Sequence, residues 1–378
     1  MVVKLEGEFY DEIARRIIQW YKGKKLKPVK LQFNPTNRCN LKCRFCWLRD
    51  FPNLKYDDEL STEKYLALVK EAKKLGVREI QITGGGEPLM RDDIAEIMKA
   101  IKKRKMTGKL TTNGTLFTRD LVSTLVEIKW DEIVFSLDAP NEKINDLHRG
   151  AKNSFRRTVH SIKIFQLTKK KRKSKLPKLS IHMVLTRKNY RYLPKMFRFV
   201  HEELGLNNLS IEPVVLLAVK TKSGKEFLFK KQDEKKLTYY LEKAKLVARN
   251  YDFQTNVDRL NLNFLKTNNM KKVIKNIERE ISHPLLSIMC YEPWYHIVIR
   301  PNGITGACCM FDGSSENVKE KSLKEIWFGE YFERIRESIL RKKFSKYCNI
   351  CNAGQVLENL RIKRLLANWI RDNERRNH

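Results

Sequence analysis

Three cysteines, Cys39, Cys43 and Cys46, stand within the eight residues CNLKCRFC. Thiolates at this spacing, on a loop leaving a strand, can all turn toward one inorganic centre. Zinc would take a fourth protein ligand and close the site. A cubane of four irons would have three of them capped by cysteine and the fourth open to an outside ligand. A second group lies far downstream. Twelve residues, Gly303 and four more separate Cys290 from Cys308, and the pair Cys348 and Cys351 follows in CNIC. Two pairs make a complete set of four thiolates for one zinc or one four-iron cluster. Cys309 is left over. Either it or Cys308 can serve as the ligand, and the four-residue spacing with the alternation of strand side chains selects Cys308.

The bulk numbers fit such sites. With 8 cysteines grouped rather than scattered, and no apolar leader in MVVKLEGEFYDEIARR, the expectation is a cytoplasmic protein whose thiols bind metal rather than form disulfides. No run of about 18 apolar residues suggests a transmembrane segment. The 378 residues suit one large α/β domain and a smaller one. The net charge of +33 favours an anionic partner or substrate, with a merely charged surface as the plain alternative.

Strand and helix patterns alternate from residue 29 to 215. Strands are expected at 29–34, 78–83, 108–113, 131–138, 179–186 and 209–214. Helices are expected at 7–22, 61–76, 91–104, from about Thr118, at 154–170 and around 190–204. Ser61 and Gly76 read as the cap and stop of one helix. Six successive βα units predict a partial (β/α)6 TIM-type barrel, whose chemistry belongs at the C-terminal ends of its strands. A small β-hairpin and helix domain for the second cysteine group follows it. The expected organisation is a helical extension over 1–28, the barrel over 29–215, a basic covering segment over 216–285, the auxiliary domain over 286–354 and a basic helix over 355–378. That last helix should pack on the body of the protein through Leu357, Leu360, Leu365, Trp369 and Ile370. In the auxiliary segment, PNG turns a hairpin whose returning strand delivers Cys308, and SLKEIW opens a helix. KKKRKSK (169–175) reads as a solvated loop.

The motifs that follow Cys39, Cys43 and Cys46 resemble those of the radical S-adenosylmethionine (SAM) enzymes, in order, at the ends of successive strands. TGGGEP follows the second strand and resembles the family's GGE motif. The resemblance implies that Gly84, Gly85, Gly86, Glu87 and Pro88 form the turn that receives the methionine ammonium, because only glycine lets a backbone approach so closely. TTNG ends the third strand with Asn113. SLDAP ends the fourth, and Ser136 and Asp138 resemble residues that meet the ribose or methionine part of SAM. Arg149 of HRG resembles an arginine that pairs with the SAM carboxylate. Phe45 stands where the family sets an aromatic ring against adenine, and VLTRKN, with Leu185, would complete that wall. The second group resembles the SPASM/twitch extension; no cysteine follows Cys351, which favours the shorter form with one auxiliary cluster.

The resemblance implies two [4Fe–4S] clusters, SAM, and an electron donor such as ferredoxin or flavodoxin. It implies a radical oxidation, dehydrogenation or cross-linking. The substrate is left open among an anionic small molecule, a peptide and a nucleic acid. His182 and Glu212 are the inward-facing candidates for catalysis. A basic, zinc-stapled nucleic-acid-binding protein is the alternative, but it gives the TGGGEP turn no purpose.

Overall fold

The computed structural model describes residues 2–46, 48, 58–214, 222–260, 283–309, 316–343, 348, 351 and 353–376. All eight cysteines fall among them; parts of the expected covering segment, 216–221 and 261–282, lie outside them.

Among the described residues, nine strands form one sheet in the order β7-β6-β5-β4-β3-β2-β1-β8-β9. The six expected strands are β1 (Lys30–Phe33), β2 (Glu79–Ile82), β3 (Thr107–Thr112), β4 (Glu132–Ser136), β5 (Lys178–Leu185) and β6 (Asn208–Pro213), each parallel to the next. Between and around them lie α1 (Val2–Tyr21), α2 (Thr62–Leu75), α3 (Ile94–Lys103), α4 (Arg119–Glu127), α5 (Glu142–Arg149), α6 (Ser154–Lys171) and α7 (Leu193–Glu202). This is the partial TIM-type architecture expected of the sequence. The caps are local. Ser61 accepts from Lys64 N, Thr118 from Leu121 N and Asn141 from Ile144 N, and Gly76 closes α2 at φ 95°. Helix α5, missed in the sequence reading, is only eight residues long.

The strands alternate cleanly between two kinds of face. Leu31, Phe33, Ile80, Ile82, Leu110, Ile133, Phe135, Ile181, Met183 and Leu185 are buried in the main core with the helices. The intervening residues are mostly polar, among them Lys30, Gln32, Glu79, Gln81, Lys109, Glu132, Ser180, His182 and Glu212, with Val134 and Val184 the apolar ones on β4 and β5. These line the inner face. At its base Lys109 Nζ lies 3.0 Å from Glu79 and 3.8 Å from Glu132. Helix α1 and the long helix Ala353–Arg376 pack on each other and cover this base. Phe9 lies under Lys109, and Tyr10 stacks under Arg361. The long helix thus packs on the body as expected, although its buried side runs through Val356, Leu357, Ile362, Leu366 and Ile370.

The segment holding the second cysteine group does not stand apart. Strand β8 (His296–Ile299) pairs in parallel with β1, Lys30 opposite His296, and β9 (Thr305–Gly306) returns antiparallel to it. The expected hairpin is present, but it extends the barrel sheet, because β1 would otherwise be an unpaired edge. Helices Leu323–Phe328 and Glu330–Leu340 share the main core through Leu323, Ile326, Trp327 and Phe332. At the other edge β7 (Gln254–Thr255) follows helix Glu234–Asn250 and pairs with β6.

Candidate functional site

The segment leading to Cys39 is fixed before the cysteines begin. Arg91, just after the TGGGEP turn, donates to Pro35 O and Leu60 O and pairs with Glu59 and Asp93. Thr36 and Arg38 also reach Glu59. The three glycines lie flush against this segment. A Cβ on Gly85 would stand 2.2 Å from Asn37 Oδ1, one on Gly86 2.0 Å from Arg38 O, and one on Gly84 1.8 Å from Gly86 O. Gly86 N and Glu87 N donate to Thr36 O and Arg38 O, each at 2.8 Å. Glu87 is buried and its carboxylate is fully engaged. It accepts from Thr112 Oγ1 and Asn113 N at 2.7 Å and from Leu89 N at 3.1 Å, the last as cap of the turn Pro88–Met90. Asn113 in turn donates to Asn40 Oδ1 at 2.9 Å, between the first two cysteines. Motifs after β1, β2 and β3 are thereby one hydrogen-bonded body.

The other wall comes from α5. Lys42 N donates to Arg149 O and Arg44 N to His148 O, so the cysteine loop docks by its backbone on the end of that helix. A Cβ on Gly150 would stand 2.1 Å from Lys42 O. Arg149 is buried. Its Nε lies 2.9 Å from Asp138 Oδ2, its Nη1 3.9 Å from Cys43 Sγ, and its Nη2 has no hydrogen-bond partner among the described residues. Asp138 is fully buried, and its other oxygen accepts from Val184 N. Phe45 meets His148 and Phe227 edge-on and shares a small apolar cluster with Val184, Val214 and Leu228. Leu185 is absent from that cluster; strand alternation turns it into the main core and brings Val184 to Phe45 instead. Ser136 sits on the inner face, in register with His182. Burial pushes the Cys39 thiol up to about 11 and Cys46 up to about 12, and raises Cys43 against the pull of Arg149. Ligation must therefore release protons.

The second cysteine group gathers behind β8. Burial raises Cys290, helped by Glu292 and by Cys351 and Cys348; burial raises Cys351, helped by Cys308, Cys309 and Cys348. The thiols of both pairs are thus electrostatic neighbours. Among the described residues no three His, Cys, Asp or Glu side chains converge on a single ion-sized point. The fit of an inorganic group therefore rests on donor chemistry and surroundings. Five soft thiols, two of them adjacent, suit zinc or an iron–sulfur cluster at this second site. At the first, the orphaned guanidinium nitrogen of Arg149, beside three thiols, suits a group bringing its own carboxylate.

His182 and Glu212 are brought together: His182 Nε2 lies 3.1 Å from Glu212 Oε2. The other Glu212 oxygen accepts from Gly354 N at 3.1 Å, in the first turn of the helix that follows Cys351. Sequence reasoning named both residues but had no means of seeing the third partner, which lies 142 residues on.

The model of the radical SAM superfamily matches residues 33–200, and that of the SPASM iron–sulfur cluster-binding domain matches 290–352. Fe-coproporphyrin III synthase of Methanosarcina barkeri is 31% identical over 52% of this chain and 46% of its own length. The chain thus matches about half the length of that relative. The subtilosin biosynthesis protein AlbA of Bacillus subtilis is 24% identical over 92% of this chain and 72% of its own. Among solved structures, Streptococcus suis SuiB bound to its precursor peptide SuiA shares the fold, at a TM-score of 0.64 and 21% identity, over 89% of this chain and 74% of that one. The two family models bring with them SAM, a [4Fe–4S] cluster and auxiliary iron–sulfur chemistry. The chain thus carries a radical SAM domain over residues 33–200 and a SPASM iron–sulfur cluster-binding domain over residues 290–352.

Proposed function

We propose that the chain is an enzyme that reductively cleaves SAM and oxidises or cross-links an anionic substrate, with one auxiliary [4Fe–4S] cluster conducting electrons. The observation that carries this reading is the cysteine loop docked on α5 beside buried Arg149 and its unpartnered Nη2. When bound there, cluster and SAM supply a 5′-deoxyadenosyl radical that takes a substrate hydrogen. Cys39, Cys43 and Cys46 hold three irons. Arg149 Nη2 offers a charge-assisted bond to the SAM carboxylate. Phe45, Val184 and Phe227 form the apolar wall for adenine. The backbone of Gly84, Gly85 and Gly86 supplies close approach, while Glu87 and Pro88 fix that turn to Asn113. Asp138 holds Arg149, and Ser136 faces the same space. Cys290, Cys308, Cys348 and Cys351 close the auxiliary cluster, and a ferredoxin or flavodoxin supplies the first electron. The charge of +33 supports an anionic substrate. The naming of AlbA and the peptide bound to SuiB support a peptide as its form.

Anaerobic reconstitution tests the reading. About eight irons per chain, with matching sulfide, are expected from two four-iron clusters. SAM and dithionite should then yield 5′-deoxyadenosine, and Cys43→Ala should abolish it. Two zincs without sulfide would sink the proposal.

A further inference from the structure

His182 and Glu212 stand between the two cysteine sites. His182 is beside Ser136 on β4 and one inward position below Val184, which packs against Phe45. Glu212 is tied through Gly354 to the helix that begins just after Cys351. Burial, with Glu292 and Glu212 adding to it, raises the Cys309 thiol, which places that thiol too within the field of Glu212. The dyad is not sealed: the His182 side chain keeps 25% of its surface and Glu212 17%. Both carboxylate oxygens of Glu212 are engaged, one by His182 and the other by a backbone N–H in the first turn of a 24-residue helix. Where the Glu212 carboxylate accepts from Nε2–H, the bond fixes the tautomer that leaves a lone pair on Nδ1. Among the described residues Nδ1 has no hydrogen-bond partner.

We infer that His182 is the proton acceptor for the substrate in the space between the two cysteine sites, and that Glu212 is its positioning residue. This rests on the oxidation read above. For a substrate of the form H–C–X–H, with X oxygen, nitrogen or sulfur, a C=X bond forms as two hydrogens leave. One departs as a hydrogen atom to the SAM-derived radical. The other departs as a proton to Nδ1 of His182, while one electron leaves to the auxiliary iron–sulfur cluster as acceptor. The imidazole becomes an imidazolium whose charge Glu212 stabilises, the logic of a base held by a carboxylate. Glu212 thereby ties the proton acceptor, through Gly354 N, to the first turn of the helix that starts two residues after Cys351.

The test uses the full chain without clusters, so that its outcome is independent of the iron and 5′-deoxyadenosine measurements that test the function. In histidine-15N spectra, His182 should show one protonated and one lone-pair nitrogen, with Nε2 protonated. Glu212→Gln should collapse this difference toward a tautomer average. Glu212→Asp should restore part of it, and Gly354→Pro, which removes the N–H yet suits the first turn of a helix, should weaken it. Diethyl pyrocarbonate, which acylates neutral accessible imidazoles, should modify His182 while the fully buried His148 and His296 are spared. A His182 ring whose nitrogens average in the wild type, whose spectrum ignores Glu212→Gln, or which resists acylation would overturn the inference. His182→Gln supplies the assignment of the resonance and, in melting, shows whether loss of the ring alone unfolds the chain.

Discussion

Gly86 has no room for a side chain. The obstacle is a backbone oxygen, Arg38 O, 2.0 Å from where a Cβ would lie, so no rotamer can relieve it. Gly86→Ala should cost about 3 kcal/mol, the upper part of the range for overpacking. It should also displace Arg38, the neighbour of Cys39. Gly7 makes the contrast, since nothing lies within 4 Å of its Cβ position inside α1. Gly7→Ala should stabilise by about 0.5–1 kcal/mol. Thermal melts of the two variants check both signs, and a Gly86→Ala chain that melts with the wild type would refute the close-packing argument. Glu87→Gln should cost about 1–3 kcal/mol, because its amide would point an N–H at Thr112, Asn113 or Leu89, all of which already donate there. At this scale the sequence is readable where ligands are local. Cys39, Cys43 and Cys46 need only eight residues to declare themselves. The partners of Glu87 on β3 come 25 and 26 residues later, and nothing in TGGGEP signals them. On β5, Leu185 lies in the main core while Val184, one position before it, packs with Phe45. A slip of one residue on a strand changes the face completely.

The entry to α3 shows how an element can hold a distant loop. Asp93 precedes the helix and binds Arg91 and Thr62, and Arg91 carries the bond to Pro35 ahead of the cysteines. Burial raises the Asp93 carboxyl, but the bonds from Arg91 and Thr62 and the charge of Arg91 outweigh it, and its pKa lies below the ordinary value. The folded state therefore holds the ionised form more tightly than the unfolded chain does. Its contribution is fully present above the unfolded pKa of about 3.9 and is lost as pH falls through the lower folded value. Asp93→Asn should flatten the acid limb of stability below about pH 4 and leave the slope near pH 7 alone. Urea midpoints measured across that range check this; an unchanged acid limb would show that Asp93 does not carry it. Element boundaries were readable because their signals are local caps: Ser61, Gly76, Thr118 and the Ser322 and Glu325 capping box. The polar inner face was equally present, in the alternation of KLQF and EIQI, although the strands were read only for their existence. The two-residue β7 has too few positions for any period to show.

Over the whole molecule, the sequence suggests a barrel followed by a separate auxiliary domain, whereas the structure joins them in one sheet. A parallel pairing between residues 30 and 296 leaves no local trace, because its register is set by two segments more than 260 residues apart. The union is more than a shared edge. Trp327 Nε1 donates to Leu26 O just ahead of β1, Leu323 N donates to Glu71 of α2, and Arg336, stacked on Trp327, donates to Pro293 O. Ile297, Ile299, Leu323, Ile326, Trp327 and Phe332 are fully buried there. Each contributes about 1.5–3 kcal/mol by burial, and together that is comparable to a typical net stability of about 5–15 kcal/mol. A chain ending at residue 260 should therefore fail to fold cooperatively, although it contains Cys39, Cys43, Cys46 and the motifs that end β2, β3, β4 and β5. Its β1 would be an open edge, and the base of the inner face would lose the cover of helix Ala353–Arg376, leaving buried Lys30 without the charges of Glu358 and Glu292 near it. The expected result is an aggregating or molten product that takes up no more than trace iron on reconstitution. A fragment that melts cooperatively near the full chain and binds about four irons, the complement of one cluster, would show instead that the barrel and the auxiliary segment are independent units and that the shared sheet is incidental to the first site.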